Sequence, residues 1–92
     1  MPQIAETSDA YPAIMESSCG NIRVIVCNER KQWIAQRRKK SSTEARPWRA
    51  FGYVRSTLGL RRLLDKFDDK ALTLAIDLLP QHFSQYLALL PL

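Results

Sequence analysis

The sequence predicts an α+β fold: a small antiparallel β-sheet of three to four strands in meander order, with two to three C-terminal helices packed on one face. Three observations carry this. Residues 22–28, IRVIVCN, form a short run rich in β-branched side chains, which suits a strand better than a helix. Two further strand-like runs follow, separated by short polar turns, so antiparallel pairing of neighbours is the simplest arrangement. At Thr57 the apolar spacing switches to the helical period, with Leu60, Leu63, Leu64 and Phe67 on one face.

Residues 1–10 are polar apart from Ile4 and read as loosely held. Residues 11–17, YPAIMES, alternate weakly and can pair with residues 22–28 as a fourth strand, across the turn-forming cluster SCGN. After the turn NERK, residues 32–40, QWIAQRRKK, read as a second strong strand. SSTEA is a loop. Residues 46–56, RPWRAFGYVRS, are a third strand, with Pro47 near its start, where a missing N–H does least harm, and Gly52 marking a bulge or a close approach. Simple alternation along this strand places Arg49, Phe51, Tyr53 and Arg55 on one face and Trp48, Ala50, Gly52 and Val54 on the other. It does not separate apolar from charged residues, and so does not say which Trp is buried. Ser56 or Thr57 caps the first helix, and Asp68 or Asp69 a second, KALTLAIDLL, with Leu72, Ala75, Ile76 and Leu79 inward. After Pro80, QHFSQYLALL reads as a third, short helix anchored by Phe83, Leu87 and Leu90. Helices on one face leave the other face of the sheet free for water or a partner.

Ninety-two residues make one domain, residues 1–92, with a small core. A composition of 46% hydrophobic and 25% charged residues argues against wholesale disorder. No apolar run approaches the roughly 18 residues of a membrane span, and the N-terminus lacks a basic start and an apolar segment, so the expected location is the cytoplasm. Cys19 and Cys27 are spaced unlike zinc ligands, and His82, the sole histidine, lies far downstream. Neither a metal nor a cofactor is expected. A sole histidine with no nucleophile in reach, an Asp68-Asp69 pair that a helix N-terminus explains, and glycines only at 20, 52 and 59 offer no catalytic constellation and no phosphate-cradling loop. The expected protein is not an enzyme and has no small-molecule substrate.

Charge is the informative feature. The net charge is +5, but residues 21–62 hold twelve Lys/Arg and two acids, whereas the first twenty residues carry −3 and residues 63–92 carry −2. Such asymmetry points to an anionic partner or one with an acidic face. The candidate contact residues are Arg30 and Lys31 in one turn, Arg37, Arg38, Lys39 and Lys40 entering the next, and Arg46, Arg49 and Arg55 beyond it. Trp33, Trp48, Phe51 and Tyr53 are interleaved with them, and an exposed aromatic can stack on an unpaired base while a buried one is simply core. The plain alternative is a solubilising charged surface. On the binding reading, truncating Arg37 and Arg38 together leaves the fold intact and weakens binding.

The arrangement GNIRVIVCNERKQWIAQRRKK…RPWRAFGYVRSTLGLRRLL, over residues 20–64, resembles small proteins encoded by phages and mobile elements, most closely anti-CRISPR inhibitors of type I surveillance complexes. That resemblance implies a non-enzymatic inhibitor acting in an infected bacterial cell. It would sit on the complex of Cas proteins and guide RNA and block target DNA. The basic middle of this chain argues against DNA mimicry. A stand-alone DNA- or RNA-binding regulator is the alternative, and about six phosphate contacts would cost it roughly a thousandfold in affinity between 50 and 200 mM salt. A third reading is a subunit of a larger assembly, docking through Leu87, Leu89, Leu90 and Leu92.

Overall fold

The computed structural model describes residues 4–39 and 46–90. Four strands, β1 (Met15–Glu16), β2 (Ile22–Val26), β3 (Trp33–Arg38) and β4 (Trp48–Val54), form one antiparallel sheet in the order β1-β2-β3-β4. Three helices follow: α1 (Thr57–Leu64), continued by a 3-10 turn (Asp65–Phe67), then α2 (Lys70–Asp77) and α3 (Phe83–Leu89). This is the expected α+β meander, with a fourth strand of two residues.

The helix ends follow from side-chain chemistry. The Ser56 hydroxyl accepts the Gly59 N–H at 3.1 Å and the Asp69 carboxylate accepts the Leu72 N–H at 3.1 Å, each satisfying a first-turn donor that has no partner inside the helix. Asp68 stops the 3-10 turn in the left-handed region at φ 47°. The second oxygen of Asp69 accepts the Ser18 N–H at 2.9 Å, tying α2 to the β1–β2 turn. Thr57 N–H donates to Gln81 O and Phe83 N–H to Arg55 O, joining the start of α3 to the end of β4.

One face of the sheet builds the main core. Met15, Ile22, Val24, Trp33 and Ala35 pack against Leu60, Leu64, Leu72, Ile76 and Phe83. Trp33 is fully buried, with Phe83 and Tyr86 approaching it edge to face at 5.2 and 5.6 Å. Gly52 lies under Leu63, whose side chain occupies the space a Cβ would need. The register shifts beside it, from Ala35↔Gly52 to Gln36↔Ala50, leaving Phe51 as the extra residue of a bulge.

The other face is covered over β2 and β3, contrary to the expected free surface, while Ala50 and Tyr53 of β4 stay exposed on it; Glu6, Thr7, Ser8 and Asp9 are hydrogen-bonded to the sheet. The chain before β1 crosses the sheet as a strap, because this face carries buried polar groups that need partners. Arg23, 2% exposed, donates through Nε to Gln36 Oε1 at 2.7 Å, through Nη1 to Tyr11 O at 3.2 Å, and through Nη2 to Glu6 O and Ser8 O at 3.0 Å each. Gln36 Nε2 donates to Glu6 O at 3.0 Å. The Arg23 guanidinium lies 4.2 Å from the centre of the Trp48 ring. Trp48 donates its backbone N–H to Thr7 O and its indole N–H to Asp9 Oδ1, and Arg38 donates to the same carboxylate oxygen at 2.6 Å. Ile25, Cys27 and Ile34 form a second apolar cluster with Tyr11 and Ala13 beneath the strap.

Two predictions follow from the strap. Arg23→Ala removes the donor to three part-buried carbonyls and to the buried Gln36 amide oxygen and should cost roughly 3 kcal/mol in urea unfolding, and Arg23→Lys should not restore it, because an ammonium lacks the planar fork. An unchanged midpoint would mean the strap holds without Arg23. The second concerns acid. Hydrogen bonds from Arg38 and Trp48 hold the Asp9 carboxyl below its ordinary 3.8. A depressed folded value stabilises above the unfolded pKa and is lost as pH falls through the folded one. The melting temperature of wild type should therefore exceed that of Asp9→Asn at neutral pH, with the gap closing below about pH 4. A gap independent of pH would contradict this account.

Candidate anion-binding cleft

The bulge at Phe51 organises a basic concavity. Simple alternation would keep Arg49, Phe51, Tyr53 and Arg55 on one face, but the inserted residue resets the register. Tyr53 sits opposite Ile34 on the strap side, whereas Arg49 sits opposite Arg37 on the helix side. Phe51 turns toward the helices and meets Phe67 edge to face at 5.7 Å. Between them opens a cleft of about 880 Å³, lined by Arg37, Arg38, Lys39, Arg49, Phe51 and Phe67, with Cys19, Asn21, Ile22 and Ala50 completing the wall. Lys66 places its ammonium 5.4 and 5.2 Å from the Phe51 and Phe67 ring centres.

Arg37 and Arg49 are direct cross-strand partners. Like charges at such positions repel, whereas opposite charges there would attract. Among the described residues neither makes an ion pair: the described pairs are Lys31–Glu29, Arg38–Asp9 and Arg61–Asp77. Two exposed arginines thus stand at paired positions on neighbouring strands and line one cleft, with no ion pair to a described carboxylate.

The other residues expected to bind divide differently. Arg38 is shared, since it lines the cleft but also clips Asp9, with its guanidinium 5.6 Å from the Trp48 ring centre. Arg30 and Lys31 occupy the β2–β3 turn, and Arg55 follows β4, both at the end of the sheet away from Arg37, about 15 Å along the strands. One groove therefore does not collect all of these cations. Lys31 is ion-paired with Glu29 at 2.9 Å. Arg46 is exposed ahead of β4, and Lys40 lies outside the described residues.

Trp33 and Trp48 are both buried, 0% and 3% exposed, so neither is a stacking surface. The aromatics that reach the cleft are Phe51 and Phe67. Lys66 and Phe67 were not among the expected contact residues, and no local signal marks them, because their place depends on where α1 ends relative to β4. His82 precedes α3, its backbone N–H donating to Gln85 Oε1 at 3.0 Å, and no group of three or more potential metal ligands converges among the described residues. Both cysteines are free, Cys27 buried and Cys19 exposed at the cleft, where the Ser17 hydroxyl and then the Asn21 backbone hold its thiol below the ordinary value. No described helix is long and apolar enough to cross a membrane. No family model, curated protein or solved structure matches the chain.

The paired truncation of Arg37 and Arg38 therefore combines two different effects. Arg37→Ala with Arg49→Ala should leave the melting temperature unchanged or slightly higher, since a repulsion is removed. Arg38→Ala alone should lower it, because the Asp9 clip is lost. Equal destabilisation by both variants would mean that Arg37 and Arg49 also hold the fold.

Proposed function

We propose that this protein is a non-enzymatic binder that takes the phosphates of a nucleic acid carried in a nucleoprotein complex. The cross-strand Arg37–Arg49 pair is the observation that carries this reading. A pair of cations held against their own repulsion gains most from a ligand that bridges them, and phosphate oxygens accept guanidinium hydrogen bonds in that way. Arg38 and Lys39 line the same cleft and add to its positive charge. In keeping with the resemblance of its layout, the proposed target is a type I RNA-guided surveillance complex. There the protein would touch guide RNA and Cas protein together and block target DNA. The strongly basic sheet supports contact with an anion over imitation of one.

The second reading, a stand-alone DNA- or RNA-binding regulator, is favoured by the presence of aromatic rings within the cleft, since such rings serve any unpaired strand. Salt separates the two. Three phosphate contacts on a single strand cost about 20-fold in affinity between 50 and 200 mM salt. The inhibitor reading expects the protein to stay on the RNA-loaded complex at salt that removes it from naked RNA and DNA, and to lose that retention on Arg37→Glu with Arg49→Glu. Binding to naked nucleic acid alone would select the regulator. Retention that survives both charge reversals would place the contact away from the cleft.

A further inference from the structure

We infer that the cleft is built for an unpaired strand, with one base laid against the Phe51–Phe67 wall while the adjoining phosphates meet Arg37 and Arg49. This rests on the phosphate-binding reading above and specifies its ligand.

The wall and the cations belong to one concavity. Phe51 and Phe67 are each only partly buried, and both line the same space as the two arginines. A core aromatic is normally sealed by its neighbours. Here the bulge pushes Phe51 out of the strand's alternation and toward the 3-10 turn, where Phe67 meets it at an interplanar angle of 68°. The resulting surface is an apolar wall in a cleft that also holds four positive side chains. Lys66 leans its ammonium over both rings, so a cation borders the apolar wall as well.

A duplex suits this surface poorly. It presents phosphates outward and hides its base faces within the stack, so it would meet the arginines and leave the rings unused. An inorganic anion would do the same. An unpaired nucleotide offers a flat apolar face beside a phosphate, matching both parts. The volume, about 880 Å³, falls within the range of pockets that take small organic ligands and has room for a nucleotide. An acidic protein segment would satisfy the arginines but offers no comparable flat ring unless it carries an aromatic.

Three ligands test this on the full wild-type chain at 50 mM salt. They are a short labelled single-stranded RNA, the same RNA annealed to its complement, and an abasic strand of equal phosphate count. The single strand should bind about tenfold tighter than the abasic strand, the effect of stacking one base. It should also bind tighter than the duplex. Iodoacetamide should alkylate exposed Cys19 and spare buried Cys27, and the single strand should protect Cys19. Phe67→Leu should reduce binding of the single strand toward the abasic level while Arg37 and Arg49 keep its salt dependence.

Equal binding of all three ligands would overturn the stacking inference and leave the phosphate reading standing. No binding by any of them would overturn both. Binding without protection of Cys19 would move the strand to another surface and overturn the inference as well. Polyglutamate of equal charge competing as well as the RNA would identify an acidic protein segment as the occupant instead.

Discussion

A buried guanidinium sets the terms for this fold. Arg23 occupies the middle of the sheet, where a charge without partners would be strongly unfavourable. Its hydrogen-bonded partners are neutral: one side-chain amide and three backbone carbonyls, with the face of Trp48 beside them. Burial draws the guanidinium below its usual pKa, and the nearby Asp9 and Glu16 carboxylates oppose that shift. The carbonyls come from residues 6, 8 and 11, so satisfying Arg23 requires the N-terminal segment to lie across the sheet. The strap, the second apolar cluster and the burial of Trp48 follow from that single requirement.

The strap also divides the arginines of the central region into two kinds. Arg23 and Arg38 point toward it and spend their donors on carbonyls and on Asp9. Arg37 and Arg49 lie on the opposite side, where no described carboxylate pairs with them. Adjacent positions in β3 thus serve opposite purposes because strand alternation sends them to opposite faces. The bulge then ensures that Arg49 joins Arg37 rather than Arg38.

Much of the architecture was legible from local signals. The β-branched run at residues 22–26, the change of period at Thr57 and the caps Ser56 and Asp69 are properties of neighbouring residues, and each lies where its chemistry predicts. What escaped were relations between distant residues. A lone arginine in an apolar strand gives no sign that carbonyls twelve to seventeen positions earlier will surround it. Gly52 hinted at a bulge, but alternation alone cannot say which residue is inserted, and so it misplaced Arg49 relative to Tyr53. The expected basic site was a list of cations by composition. The fold collects some of them at one end of the sheet, sends Arg30, Lys31 and Arg55 to the other, and brings in Phe67 from a helix end.

The position of β4 as the outer strand bears on self-association. An exposed strand edge invites another copy to add to it, and soluble proteins must block that addition. Near Trp48 the strap already occupies the edge, because the backbone N–H there is taken by Thr7. Farther along, an antiparallel copy centred on Gly52 would set Arg49 of each chain against Arg55 of the other. Arg49, which lines the cleft, thus also sets a positive charge where an added copy of the strand would bring a second one.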